Sequence, residues 1–387
     1  MGWTLLARGQ DREVLGALRG WSLDLTLRLN EVGSWSLQIP QEMTPEGWPD
    51  TVTGLIMLRD GEVVASGQID ERAFNWSADP DDEDGGPGMF TVHGDTDIGR
   101  LAYRICYPDP TLAWTAQPNA TLNDAYYRRG PMIGEELMRR MVNDHAGSLA
   151  LTARRVPGVR LGTATGVGSS ISCNERFTPL LEALRKAASA SGGLVFDMRD
   201  AMDTFIDFTV RAPANKTGSV RFGRELGNVL SLAVKYAEPV TTAALVAAEG
   251  EKQNRTLREY TRAGERREEF VDQRQVDGSL TEANAEYEKA GNDALDNGAA
   301  QSSIGAVIID TETVRWGRDY NLGDKVSVLT PYGEVQDLVR EVRITVDETG
   351  VEEITSVIGS QDLASKDPLA ASVRRINDRL SQIERAL

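Results

Sequence analysis

The chain has 387 residues, with 59 acidic and 42 basic side chains and a formal net charge of -17. At ~100–200 residues per domain, this length predicts two to four domains. The hydrophobic share of 40% and the charged share of 26% are typical of a globular protein. The acidic surface excludes a protein built to grip nucleic acid or an anionic membrane. The sequence has neither an apolar run of ~20 residues nor a leader, so we expect no membrane anchor and no secretion signal.

The cysteines and histidines are too few for common metal or catalytic sites. Two cysteines, Cys106 and Cys173, exclude a disulfide scaffold and a four-cysteine zinc site, and we expect free buried thiols in a protein made in the reducing cytoplasm. We predict that His93 is a half-exposed strand residue. We also predict that His145 ends a helix, where the helix dipole favours a cation. We therefore expect no metal, no cofactor and no catalytic residue.

Residues 1–105 predict an N-terminal β-barrel, because apolar and polar positions alternate with the period of two of half-buried strands. Strands are expected at residues 21–27, 35–39, 55–58, 63–69 and 89–93. Asp60-Gly61 predicts a tight hairpin, since these residue types tolerate positive φ. Packing on or beside these strands is the expected role of Trp3, Trp21, Trp35 and Trp76.

An acidic segment, residues 79–88, interrupts these strands. Its clustered carboxylates (Asp79 to Asp84) are the ligands of a calcium loop, although their spacing does not match a helix-loop-helix calcium site. The alternative is a solvated hairpin loop rich in turn residues, which we favour.

Residues 106–235 mix helices and strands and predict an α/β domain. One helix is predicted by an apolar face at helical spacing, formed by Met132, Ile133, Leu137, Met138, Met141 and Val142. A second helix is predicted after Thr178 as its cap and Pro179 in its first turn, with Gly192-Gly193 at its end. Strands are expected at 194–198 and 206–210. The glycine-rich stretch 162–168 lacks the Gly-Lys-Ser/Thr ending of a phosphate-binding loop, which favours a flexible connection.

Residues 236–365 predict a second β-barrel with a helix packed outside it. Its strands are expected at 241–248, 267–274, 304–310, 325–329, 338–346 and 354–358, and the polar helix at about 281–300.

Residues 366–387 predict a coiled-coil helix. Apolar residues follow one another at steps of four and three, at Leu369, Val373, Ile376, Leu380, Ile383 and Leu387. We expect these residues to mediate oligomerisation, although the a/d set does not decide between dimer and trimer. The alternative is an amphipathic helix that lies on its own domain. The predicted fold class is therefore α+β, mainly β, with two barrels, an intervening α/β region and a C-terminal coiled coil.

Several stretches resemble the baseplate or tail-tip hub proteins of long-tailed phages that infect actinobacteria: residues 21–40, 238–246 with 250–251 and 254–255, 266–274, and 323–328. The resemblance implies a non-enzymatic homotrimer at the tail tip of the virion, which joins the tail tube to the tip and closes the DNA channel. The implied partners are a distal tail protein, the C-terminus of the tape-measure protein and downstream tail-tip or receptor-binding proteins. DNA would pass through the lumen without specific binding.

Intersubunit contacts are expected from residues 369–387 and from the strands within residues 325–358. We expect no appended wall-degrading domain. Three alternatives remain open: a carbohydrate- or receptor-binding tail protein, the hub of a contractile injection device, and a hydrolase.

Overall fold

The computed structural model describes residues 2–45, 47–48, 50–76, 88–117, 126–247, 255–273, 283–298 and 301–359. Within these residues the chain forms 21 β-strands and four α-helices, so the protein is mainly β, as predicted. None of these helices is long and apolar enough to cross a bilayer. The predicted heptads at 369–387 and residues 79–87 of the predicted acidic loop lie outside the described residues.

The first hundred residues form the five predicted strands and two further strands, at their start, that were not predicted. They are β1 (Trp3–Arg8), β2 (Val14–Ala17), β3 (Ser22–Arg28), β4 (Ser34–Pro40), β5 (Gly54–Arg59), β6 (Glu62–Asn75) and β7 (Met89–Thr96). Alternation places one face of each strand in the core. On β4 the inward side chains of Trp35, Leu37 and Ile39 are at most 3% exposed. The β5–β6 hairpin turns at Asp60 and Gly61, with φ of 53° and 86°, which confirms the predicted turn.

The middle of the chain mixes helices and strands, as predicted. Its elements are α1 (Gly99–Ala102), β8 (Tyr127–Ile133), α2 (Gly134–His145), β9 (Val159–Leu161), β10 (Ser170–Glu175), α3 (Leu180–Ala190), β11 (Val195–Asp200) and β12 (Ile206–Arg211). β8 pairs with β10, and β12 lies between β11 and β9. Helices α2 and α3 share one apolar core, in which Leu137, Met141 and Leu184 are fully buried.

Two details of the predicted helices are wrong. Met132 and Ile133 belong to β8, because Met132 pairs with Ile171 of β10 and holds the backbone extended. The side chain of Thr178 does not cap α3. No side chain caps this helix, and the Thr178 carbonyl instead accepts a hydrogen bond from the Cys106 amide. The predicted end of α3 is confirmed by Gly192-Gly193, with φ of 99° and 77°.

The predicted return to strands is also confirmed. The remaining elements are β13 (Arg221–Phe222), β14 (Val229–Ala237), β15 (Ala243–Ala247), β16 (Leu257–Thr261), β17 (Glu268–Asp272), α4 (Ala283–Asn297), β18 (Gln301–Ile309), β19 (Lys325–Thr330), β20 (Gly333–Val346) and β21 (Glu352–Gly359).

The chain divides into two compact units, one formed by Met1–Ser231 with Ala306–Gln361 and the other containing Leu232–Gly305. In the second unit, β15 lies between β16 and β17. Helix α4 packs on β15 through two small clusters, Tyr287 with Val246 and Ala294-Leu295 with Ala244. The domain boundaries predicted at residues 105, 235 and 365 stay predictions.

Most strands belong to one 13-stranded sheet. Its order is β14-β18-β21-β20-β3-β4-β7-β6-β5-β1-β2, and β19 joins β13 to β20. The central link is the antiparallel pair β3–β20, in which Leu25 faces Ile344. The described residues therefore join strands predicted for the first barrel to β18, β19, β20 and β21 of the second in one sheet, and they form no closed barrel. β15 and β17, also predicted for the second barrel, lie in a separate three-stranded sheet. Alternation along a strand records which face is buried, and it carries no information about the neighbouring strand.

Candidate functional site

The predicted histidines and cysteines are not brought together. His93 lies exposed on β7, whereas Cys106 is buried and Cys173 is half-buried. Burial, followed by the nearby Glu175 charge, raises the pKa of the Cys106 thiol to about 12. Among the described residues, no group of three or more histidine, cysteine or acidic side chains is arranged to hold a metal ion.

The prediction of a cationic His145 is wrong. The side chain does end α2, but it is fully buried and neither ring nitrogen has a hydrogen-bond partner within the described structure. Burial, aided by the Arg154 charge, lowers its pKa to about 3. His145 is therefore a neutral core residue packed edge-on against Tyr127, with 4.6 Å between ring centroids.

The glycine-rich stretch 162–168 binds an anion that belongs to the chain itself. The Glu135 carboxylate, in the first turn of α2, accepts hydrogen bonds from the Thr165 and Val167 amides and from the Thr165 hydroxyl, at 2.9–3.0 Å. Burial opposes ionisation of Glu135, but these hydrogen bonds outweigh it and lower the pKa. The predicted flexible connection is thus an ordered loop whose anion-binding amides are occupied.

The resemblance-bearing residues 21–40 fasten β3 and β4 to other parts of the first unit. The Asn30 side chain donates to the Leu194 carbonyl and accepts from the Phe196 amide, both at 2.8 Å, and so pairs with β11. Trp35 lies over the backbone of Gly67 and Gly94, where an added Cβ would come within 2.4 Å of the indole. The stretch therefore has a packing role in the sheet.

The second and third resemblance-bearing stretches lie beside each other. β15, which overlaps the stretch 238–246, pairs in parallel with β17, which lies within the stretch 266–274. The Thr242 hydroxyl links the residues that precede the two strands, since it donates to the Glu265 carbonyl and accepts from the Arg267 amide at 2.7 and 2.8 Å. These stretches likewise build structure and assemble no catalytic arrangement among the described residues.

A buried ionic network joins β1, β6 and β11. Arg8, only 1% exposed, donates to both carboxylate oxygens of Asp97 at 2.8 and 3.0 Å and to Asp200 at 3.1 Å. Ser66 donates to Asp97 at 2.5 Å and accepts from the Asp200 amide at 2.9 Å. Arg100 completes the shell of Asp97 at 2.9 Å. Buried charges thus hold together three strands, β1, β6 and β11, that are far apart in the sequence.

Acid is expected to weaken this network. Burial opposes ionisation of Asp97, but attraction and hydrogen bonds from Arg8 outweigh it and lower the pKa to about 2. Since the unfolded carboxyl titrates near ~3.9, the stabilisation is complete above that pH and disappears as pH falls toward 2. In urea titrations from pH 6 to 2.5, the stability difference between the wild type and Asp97→Asn should shrink by about 2 kcal/mol. A difference independent of pH would contradict this assignment.

The predicted oligomerisation residues 369–387 lie outside the described residues. Inside the chain, β19 pairs with β13 and β20, and β21 lies between β18 and β20. The strands within 325–358 thus leave few backbone edges for pairing with another subunit. One open edge among the described strands is β2, at one end of the sheet order, where Val14 and Leu15 are each 44% exposed. Such edges are ready-made for pairing with another chain.

The tryptophans divide into two groups. Trp21 and Trp35 are buried, as predicted, and Trp3 is half-buried with its indole donating to Glu352 at 2.7 Å. Trp76 is 58% exposed, so the packing predicted for it is wrong, because it follows the end of β6. Trp114 is 75% exposed.

Comparison with protein families gives one match, which spans residues 8–360 and describes Siphovirus ReqiPepy6 Gp37-like proteins. The chain belongs to this family. The match covers all the resemblance-bearing stretches and confirms the siphovirus resemblance. A comparison with curated proteins finds no match.

Two solved structures share the family member's fold. One is the 43 kDa tail protein of prophage MuSo2 from Shewanella oneidensis, with a TM-score of 0.51, 13% identity, and coverage of 94% of this chain and 100% of that one. The other is a tail protein from Neisseria meningitidis MC58, with a TM-score of 0.50, 12% identity, and coverage of 95% and 99%. The chain thus has the fold of these two tail proteins over nearly its whole length.

Sequence patterns do not reveal the residues that hold this fold together. Arg8 is the last residue of an apolar strand, and nothing near it in sequence indicates a carboxylate partner. For Glu135, one signal exists: an acidic residue in the first turn of a helix and a glycine-rich loop, which are complementary.

Proposed function

We propose that this chain is a structural hub protein at the distal end of a siphovirus tail. The observation that carries the proposal is the family match over residues 8–360. The fold shared with two tail proteins, one of them from a prophage, over nearly their whole lengths supports it. In this role the protein is non-enzymatic: it closes the tail tube before infection and opens when receptor-binding proteins move.

The proposed assembly is a homotrimeric ring at the virion tail tip, with two barrel-like β domains per subunit around the DNA channel. A net charge of -17 per chain supports this arrangement, because DNA would slide past such a surface without adhering. The proposed neighbours are the distal tail protein, the C-terminus of the tape-measure protein and downstream tail-tip or receptor-binding proteins. An actinobacterial host is part of the proposal.

The heptad residues provide the test of assembly. We expect light scattering of the purified chain to give three times 42.3 kDa. Ile376→Lys with Ile383→Lys should shift this mass to 42.3 kDa, because each lysine places a charge in the apolar seam between helices. Heptads this short are only marginally stable, so two buried lysines should abolish their contribution. The variant should therefore be monomeric at low micromolar concentration.

The matched control places the same two charges outside the seam, in Ser372→Lys with Ser381→Lys, and should leave the mass unchanged. A monomeric wild-type chain would contradict the trimer. A trimer that persists in the Ile376→Lys/Ile383→Lys variant would contradict the proposed role of the heptads and leave the ring itself standing.

A second candidate function is binding of a carbohydrate receptor. The observation that favours it is the exposure of Trp76 and Trp114, because exposed indoles stack on sugar rings. Binding of the chain to a glycan array, lost in Trp76→Ala and Trp114→Ala, would favour this function over a purely structural one. An array without binding would leave the hub as the better account.

A further inference from the structure

Arginines and aromatic side chains meet on one surface of the middle region. We call this surface the arginine–aromatic patch, and it consists of Arg104, Tyr107, Tyr126, Arg128, Arg154, Arg176 and Phe177. Its residues come from the segment after α1, the start of β8, the turn before β9 and the segment after β10. The surface is therefore assembled by the fold from four separate parts of the sequence.

Ring and guanidinium contacts run without interruption through the patch. Arg154 stacks over Tyr107 at 3.6 Å, and Tyr107 meets Phe177 with 6.1 Å between ring centroids. Arg176 lies 5.6 Å from the ring of Phe177 and 5.8 Å from that of Tyr126. Arg128 lies 5.6 Å from Tyr126 on the far side of this chain of contacts. The patch is one continuous surface in which positive charges are held on aromatic rings.

The positive charge of the patch is not neutralised by the described residues. Arg104, Arg128, Arg154 and Arg176 form no ion pair within the described part of the chain, unlike the surface arginines Arg160 and Arg266, which each contact two carboxylates. This is notable in a chain with 59 acidic side chains.

The environment of two of these guanidiniums points the same way. Burial, with the charge of Arg100, lowers the pKa of Arg104. Burial, with the charge of Arg104, lowers that of Arg154, whose Nη1 atom is buried and without a partner among the described residues. An incoming anion would offset this uncompensated charge.

The geometry of the contacts restricts the chemistry of a partner. Tyr126 and Phe177 are 41% and 40% exposed, but their rings already carry guanidiniums, which leaves little ring face for a sugar or a nucleobase. Arg104 and Arg154 donate to backbone carbonyls, whereas within the described part of the chain Arg128 donates only from Nε, to Asn174, and Arg176 donates no hydrogen bond. The remaining N–H edges of Arg128 and Arg176 match a carboxylate. Phe177 is also held at a φ of 53°, a conformation that is strained for a bulky residue.

We propose that the arginine–aromatic patch docks an acidic segment of a partner protein, rich in aspartate and glutamate. Charge complementarity selects this occupant, since residues 106–235 carry more basic than acidic side chains within a chain of net charge -17. The inference goes beyond the proposed function and does not depend on it, because the surface belongs to a single chain.

The test is binding of a fluorescein-labelled decaglutamate peptide to the full-length chain, followed by fluorescence anisotropy at low salt. We expect Arg128→Gln with Arg176→Gln to weaken binding by about tenfold or more, since each substitution removes the charge-assisted hydrogen bonds of one arginine. The matched control is Arg266→Gln with Arg318→Gln, two exposed arginines that pair elsewhere and give the same change in charge. This control should bind within about twofold of the wild type.

Each other outcome overturns the proposal. No binding by the wild type, or equal losses in both double variants, would show that the patch is not a specific docking surface. Tighter, equally patch-dependent binding of a thymidine decanucleotide would assign the patch to nucleic acid instead. Thermal unfolding of each variant excludes a loss of fold, and the mass measured by light scattering reports separately on the proposed hub.

Discussion

Replacing Arg8 with methionine is expected to lower the free energy of unfolding by about 3–5 kcal/mol. The variant replaces the guanidinium with an apolar side chain. It leaves the buried Asp200, 4% exposed, without its ion pair to Arg8, and the buried Asp97, 0% exposed, with Arg100 alone. Urea unfolding followed by tryptophan fluorescence measures the effect in the relevant part of the chain, because all seven tryptophans lie in the first unit.

Arg160 provides a matched control, since it also contacts two aspartates, Asp203 and Asp207, at 2.9 and 2.6 Å. Its side chain is 40% exposed, so water replaces the lost contacts and Arg160→Met should lower the free energy of unfolding far less than Arg8→Met does. Equal costs for the two variants would contradict the argument from burial. Adding Asp97→Asn and Asp200→Asn to Arg8→Met should recover part of the loss, because the unpaired charges are then gone.

Gly94→Ala is expected to destabilise the sheet by about 3 kcal/mol or more, beyond the usual cost of an added methyl group. A Cβ at this position would lie 1.9 Å from the Gln68 carbonyl and 2.4 Å from the Trp35 ring. The carbonyl belongs to β6, which pairs with β7 here, so it cannot move away without breaking strand pairing. We expect a loss of soluble protein at 37 °C or a large fall in the urea midpoint.

The control for this prediction is Gly218→Ala. Nothing lies within 4 Å of a Cβ built on Gly218, and its φ is not in the left-handed region. That substitution should be neutral or slightly stabilising, since alanine restricts the unfolded chain. If Gly94→Ala unfolds at the same urea concentration as Gly218→Ala, the close approach of Trp35 to the β7 backbone is wrong.

The two predictions concern residues that differ in how far the sequence reveals their role. Trp35 belongs to a stretch whose resemblance to a family can be read from the sequence, but its packing partners are the backbones of Gly67 and Gly94, distant in sequence. Arg8, by contrast, carries no readable signal, because its partners Asp97 and Asp200 are distant in sequence. Packing and charge pairing act over a few ångströms in space, whatever the separation along the chain.

Local sequence patterns were enough to predict three kinds of element: the alternating strands β3 and β4, the hairpin at Asp60-Gly61 and the end of α3 at Gly192-Gly193. Each depends on side-chain periodicity or on backbone freedom within a few residues. The folded structure was needed to show that β3 pairs with β20 and that the Glu135 carboxylate accepts hydrogen bonds from the glycine-rich loop. It was also needed to show that arginines stack on aromatic rings at one surface. These contacts join segments far apart in sequence, and their partners are selected by burial and hydrogen bonding in the folded chain.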